Sequence, residues 1–231
     1  DCLLSRGLGD VYKRQVFNML SGYSEPKKWN RLIVAPIWMK NRFLQLIERE
    51  AEHAKQGKPA EITAKMNSLC DPAIIAALYY ASSCGVQINL LVRGICCLRT
   101  GIPGISENIH INGIIDRYLE HSRIFIFANG GEEKYYIGSA DWMPRNLDNR
   151  IEVLAPVYDK EIQADLKRIV CYGYRDTAKG RIVDGTGENR PWENRPSTLC
   201  KDFTPALAEA ETATVVFRSQ EELYRKYKNT L

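Results

Sequence analysis

Most of the side chains able to do chemistry fall in one stretch, Arg117 to Trp142: R-Y-L-E-H-S-R-I-F-I-F-A-N-G-G-E-E-K-Y-Y-I-G-S-A-D-W. His121 and Arg123 form an H-x-R, and Ser139 and Asp141 belong to a G-S-x-D. An imidazole titrates near neutral pH and serves as nucleophile or general acid. A guanidinium matches phosphate oxygens in pairs. Together these groups suit phosphoryl chemistry, and a hairpin would bring them together. Ile124-Phe125-Ile126-Phe127 and Tyr135-Tyr136-Ile137 are β-rich, and Asn129-Gly130 between them is a strong turn signal. The expectation is two antiparallel strands, 122–128 and 134–139, returning Ser139 and Asp141 to the side of His121 and Arg123.

Further candidates sit at other strand ends. Arg93 closes a β-rich run and opens R-G-I-C-C-L-R-T-G-I-P-G-I-S-E-N, where Gly94, Gly101 and Gly104 would let backbone approach an anion. Lys65 ends the run 60–66 and is followed by Asn67 and Ser68. A solvated strand-end charge is the plain alternative for both. Glu107 and Asp141 could hold a metal or orient an arginine, but two isolated carboxylates are a weak metal set, and no metal site is expected. His53 reads as exposed on a helix, and His110 could go either way. Cys96-Cys97 reads as a buried pair of small apolar residues. Neither a Walker A pattern nor G-x-G-x-x-G occurs, so any nucleotide site is of another kind.

The elements that must position these groups alternate. Residues 31–35, 60–66 and 86–92 read as strands. The helices between them are 38–56, with Met39, Phe43, Ile47, Ala51 and Ala54 at helical spacing, and one starting at Asp71-Pro72 as cap and first-turn proline, closed by Gly85. Such a βαβαβ order favours a largely parallel sheet flanked by helices. Ligands of open α/β sheets bind beyond the strands' carboxyl ends, where Lys65 and Arg93 stand. Residues 109–115 read as a strand or a short helix, 150–155 as a strand ended by Pro156, and 159–172 as a helix. Residues 16–23 read as a short apolar helical turn. Residues 173–200 read as an irregular surface arm, and within 205–228 a helix is expected around 221–225.

The chain has 231 residues, a net charge of +4 and a hydrophobic fraction of 45%, the profile of a globular protein too mildly basic to point to nucleic acid. No apolar run nears the ~18 residues of a membrane span. Seven cysteines, an odd number without C-x-x-C, favour reduced thiols over a disulfide framework or zinc site. Residues 1–15 read as a leader foreign to the rest.

The motifs K-M-N-S-L at 65–69, V-R-G-I-C-C-L-R at 92–99, G-I-P-G-I-S-E-N-I at 101–109, L-E-H-S-R-I-F at 119–125 and G-S-A-D-W-M-P-R-N-L at 138–147 resemble the C-terminal part of the large bacterial polyphosphate kinases. The resemblance covers about residues 16 to 190. It implies that 16–172 is the second of two phospholipase-D-like domains, with 173–231 as a C-terminal arm, and that the H-x-R and G-S-x-D are relatives of that superfamily's signature. It implies reversible transfer of the ATP γ-phosphoryl to polyphosphate through a phosphohistidine in a preceding domain. His121 is implied as a second catalytic histidine touching nucleotide phosphates, and Arg93 as an ATP-phosphate ligand. Lys65 and Arg123 would add cations, and Ser139, Asp141 and Glu107 would support them. ATP, ADP and polyphosphate, Mg²⁺ with its ligands in the preceding domain and a homo-oligomer of the full-length enzyme follow from the same resemblance; the reduced cysteines point to the cytoplasm, with membrane association of the parent enzyme left open. Thr100 stands where the family has proline and Asp116 where it has glycine, which would place a carboxylate near His121. Two rival readings are a stand-alone phospholipase-D-like phosphodiesterase or nuclease, needing two H-x-R halves in a dimer, and a non-catalytic phosphate-binding module.

Overall fold

The structure, a computed structural model, describes residues 17–18, 32–192 and 216–228. The chain divides into two compact units, 1–31 and 32–231. The expected leader lies outside the described residues, and so does nearly all of the turn at 16–23.

In the second unit the described elements run β1 (Ile33–Ala35), α1 (Met39–Lys55), β2 (Glu61–Met66), α2 (Pro72–Ser83), β3 (Gln87–Val92), β4 (Ile109–Ile114), β5 (Ile124–Phe127), β6 (Lys134–Gly138), β7 (Glu152–Val157), α3 (Lys160–Tyr174), β8 (Gly180–Ile182) and α4 (Ser219–Lys228). The caps form as expected. Asp71 Oδ1 accepts from the backbone N–H of Ala73 and Ile74, both at 3.0 Å, and Asp159 does the same for Glu161 and Ile162.

All eight strands form one sheet, in the order β1-β7-β6-β5-β2-β3-β4-β8. The α/β class holds, but "largely parallel" needs correction: only β2–β3 and β3–β4 are parallel, and the other five pairings are antiparallel. The reason is connectivity. β5, β6 and β7 follow one another in chain order and pair as antiparallel neighbours, β5 and β6 through a short link. β1 leaves the βαβαβ group and pairs with β7 at the opposite edge. The long glycine-bearing segment 93–108 also has a structural purpose, because parallel β3 and β4 need a crossover of about a dozen residues. It carries the chain from the carboxyl end of β3 back to the start of β4, where Ile109 pairs with Ile88.

Strand alternation assigns each face its layer. Ile62, Ala64 and Met66 join Ile88, Leu90, Phe125 and Phe127 in the core under α1 and α2, where Phe43, Phe125 and Trp142 rings meet at centroid distances of 4.8 to 5.5 Å. Leu91, Ile114, Ile124 and Ile126 face α3 through Val170, Cys171 and Tyr174. The polar positions of β2 share that second face. Glu61, Thr63 and Lys65 are therefore buried.

β7 runs through Pro156 to Val157, beyond the expected stop. β1 pairs only with 152–154, so from Ala155 onward one edge is open and needs no donor from the proline. Residues 175–192 are mostly irregular, as expected of an arm, yet β8 pairs with β4 and Trp192 packs on Tyr174 at 5.0 Å. A three-residue strand is too short to show a period. Residues 205–215 lie outside the described residues, and α4 covers the expected helix at 221–225.

Candidate functional site

Three loops leave the same end of the sheet, after β2, β3 and β6, and Leu69 stitches them together. Its backbone N–H donates to Ile95 O at 2.8 Å, its carbonyl accepts from Cys97 N at 2.8 Å, and it pairs with Trp142 in parallel fashion. The Trp142 carbonyl in turn takes the N–H groups of Cys70 and Asp71, both at 2.9 Å. Gly94 allows the closest approach: its N–H lies 2.7 Å from Asn67 O, and a Cβ there would stand 2.9 Å from that oxygen. β5 starts at this end because it runs antiparallel to β2, with Ile124 opposite Lys65. Asn67, Arg93, His121, Arg123 and Asp141 are thereby assembled from four separate chain segments.

Asn67 occupies the middle. Its Oδ1 accepts from Arg93 Nε at 3.2 Å and Nη2 at 2.9 Å. Its Nδ2 and backbone N–H both donate to Asp141 Oδ1, at 3.2 and 2.8 Å. Asp141 is 5% exposed and takes the Arg123 fork: Nε to Oδ1 and Nη2 to Oδ2, both at 3.2 Å. The remaining Arg123 nitrogen, Nη1, donates to His121 O at 3.0 Å and lies 3.1 Å from the ring Nδ1. Lys65, 6% exposed, donates to Ser122 Oγ at 2.6 Å and pairs with Glu120 at 2.8 Å. Lys65 and Arg123 thus each meet a carboxylate, whereas Arg93 meets an amide and keeps Nη1 without a partner among the described residues. Arg93, Lys65 and Glu120 line one small cleft.

Six of the seven residues singled out from sequence therefore share one end of the sheet: Lys65, Arg93, His121, Arg123, Ser139 and Asp141. Ser139, the first residue after β6, hydrogen-bonds Glu152, which also accepts from Asn146 Nδ2 at 2.6 Å. Glu107 stands at the opposite end of the strands, since it precedes β4, and there it caps Gly104 N–H at 3.3 Å and lines a separate cavity with Arg99 and His110. Gly101 and Gly104 belong to that end too, with φ of 75° and 71°.

The hairpin also differs in detail. Asn129, Gly130 and Gly131 all have positive φ in a longer link, and Gly130 sits over the ring of His53, which is half-buried rather than exposed. Cys97 is exposed and Cys96 half-buried, so they are not a buried pair. Asp116 is ion-paired with Arg218, which offsets its charge. Both its oxygens are held by Arg218, at 2.6 and 2.8 Å, and this pairing holds its carboxyl below the ordinary range. Asn67 and Glu120 are the residues that sequence reasoning did not assign, though both lie inside motifs quoted for Lys65 and His121.

The described residues bring no three metal-ligating side chains together, and Asp141 has its oxygens engaged by Arg123 and Asn67. This donor set does not fit Mg²⁺. No described helix is long and apolar enough to cross a membrane.

The family described as polyphosphate kinase C-terminal domain 2 matches residues 32–201. Polyphosphate kinase of Thermosynechococcus vestitus is 47% identical over 201 residues, 87% of this chain and 26% of that protein. The Pseudomonas aeruginosa protein is 45% identical over 207 residues, 86% of this chain and 30% of its own length. The crystal structure of polyphosphate kinase from Porphyromonas gingivalis matches with a TM-score of 0.81 at 40% identity, over 96% of this chain and 31% of that one. Nuc of Salmonella typhimurium, a phospholipase D family member, matches over 67% of this chain and 97% of its own at 15% identity and a TM-score of 0.50, a likeness of fold alone. The chain spans between a quarter and a third of these three kinases.

Proposed function

The chain belongs to the polyphosphate kinase family, matching its C-terminal domain 2, and on that premise we propose that it supplies one half of a phosphoryl-transfer centre. The reaction of the longer protein is the reversible transfer of the ATP γ-phosphoryl to the end of a polyphosphate chain, by way of a phosphohistidine in a domain upstream of this one. The observation that carries the reading is the gathering of Lys65, Arg93, Arg123 and His121 at one strand end, with Arg93 free of any described carboxylate.

Phosphoryl transfer asks the protein mainly to position reactants and to neutralise charge. Arg93, aimed by Asn67, binds phosphate oxygens of ATP. Lys65 and Arg123, each paired with a carboxylate, place further donors in a largely buried setting, where electrostatic attraction is less screened. Arg123, fixed by Asp141, holds the segment that presents the His121 ring. His121 contacts the nucleotide phosphates and donates a proton to the leaving oxygen. Mg²⁺ enters with ATP and takes its protein ligands outside this chain, so no step here is routed through it.

The test is to incubate the chain alone with γ-labelled ATP and Mg²⁺ and follow acid-labile protein phosphate and polymer. ATP binding without either product is expected, because removing one member of a cooperating catalytic unit abolishes most of the rate. Label on His121 together with polymer synthesis would overturn the division of roles.

A further inference from the structure

The C-terminal helix α4 is fastened to the segment that leads into His121. Arg218, just before α4, grips Asp116. Ser219 donates through its N–H and hydroxyl to Asp176 Oδ2, at 2.8 and 2.6 Å. Gln220, 6% exposed, pairs with Tyr118 as a neighbouring strand would: its Oε1 accepts from Tyr118 N and its Nε2 donates to Tyr118 O, each at 2.8 Å. The same Nε2 donates to Glu120 Oε1 at 2.8 Å. The other Glu120 oxygen takes the Lys65 ammonium at 2.8 Å, the two side chains being 19% and 7% exposed. A largely buried ammonium requires an anionic partner. In the structure that partner is Glu120, and a phosphate oxygen arriving at the site competes with it.

We propose that Glu120 is the built-in counter-ion of the phosphate site and that Gln220 is a positioning residue acting through it. When phosphate takes Lys65, the hydrogen bond from Gln220 leaves the Glu120 carboxylate a partner, so exchange of one anion for another does not strand a charge. The inference rests on the phosphate reading given above and adds a role for α4 and for a carboxylate amid cations.

The role has a signature that simple support of the fold lacks. Glu120→Gln frees the ammonium, and affinity for a polyanion rises by about tenfold, the scale of one charge-assisted hydrogen bond. Gln220→Met keeps the side-chain volume but removes the second partner of Glu120. The carboxylate then holds Lys65 harder, and affinity falls by about three- to tenfold. In the Glu120→Gln background there is no carboxylate to hold, and Gln220→Met has no further effect. A residue that braces the fold through Tyr118 alone, independently of Glu120, would lower affinity by the same factor in both backgrounds.

The measurement is calorimetric titration of this chain and the three variants with inorganic tripolyphosphate at low salt, with a thermal melt of each. If Glu120→Gln is unfolded at the assay temperature, Lys65→Met supplies an equivalent background, since without the ammonium Gln220→Met again changes nothing. Non-additive effects support the inference. Additive effects, or a Glu120→Gln chain that binds more weakly than the unaltered one, overturn it while leaving the phosphate site standing. A folded, unaltered chain that binds no tripolyphosphate overturns the phosphate reading and this inference with it.

Discussion

Asn67 is the residue through which the site is aligned, because one side-chain amide sets both Arg93 and Asp141. Asn67→Ala is expected to leave the fold intact and weaken tripolyphosphate binding about tenfold, by releasing the Arg93 fork. Equal Kd values for the two proteins would contradict that. Arg123→Ala should act on stability instead. It strands the buried Asp141 carboxylate, a loss of about 3 kcal/mol read from urea unfolding; an unchanged midpoint would show that Asn67 alone satisfies Asp141. The sequence makes the members of the site visible but not their pairing. Asp141 and His121 are legible as neighbours through the hairpin, yet the carboxylate meets Arg123, two residues after His121 and just before β5, where the guanidinium is the longer and stronger donor. Asn67 follows Lys65 in the open, with nothing in one sequence to rank an amide above its neighbours. The partner of Ser139, Glu152, is not legible because it comes from β7, whose register no local pattern reveals.

At the scale of elements, α1 is tied to β2 and to the hairpin link by one carboxylate. Glu50 accepts from Glu61 N at 3.2 Å and Asn129 N at 2.7 Å. Burial pushes its carboxyl up to about 7, against the pull of those two N–H groups, from an ordinary value of 4.5. Between these values the folded protein keeps a proton that the unfolded chain has released. Stability therefore falls as pH rises from 4.5 to about 7 and levels off above. Glu50→Gln should flatten that limb in urea midpoints taken across the range, and an identical slope in the variant would place the titration elsewhere. At the other edge, a Cβ on Gly180 would stand 2.1 Å from Asp176 O. Gly180→Ala should cost ~3 kcal/mol and detach β8 from β4, seen as lost amide protection at Gly180–Ile182; protection equal to that of the unaltered chain would refute this. Helices and strands were legible where period and caps agree, as at Asp71-Pro72. What was not legible is their order in the sheet. The βαβαβ alternation is real, but β1 pairs with a strand more than a hundred residues away, and only the finished core selects that partner.

For the molecule as a whole, with its mild net charge of +4, three cations stand at one strand end, where Glu120 pairs with Lys65 and Asp141 with Arg123 and Arg93 meets no described carboxylate. Anion binding should weaken steeply with salt. A general excess of positive charge would behave similarly, so position must be separated from charge. Arg99 offers the control, since it lies in the same crossover segment but lines the cavity at the opposite end with Glu107. Titrating inorganic tripolyphosphate into the unaltered chain, Arg93→Ala and Arg99→Ala at equal ionic strength compares two identical losses of charge at the two ends of the strands. A Kd weakened about ten- to hundredfold by Arg93→Ala and changed less than about twofold by Arg99→Ala is the expected result. Equal losses in the two variants, or none in Arg93→Ala, would contradict a phosphate site built on Arg93, Asn67 and His121.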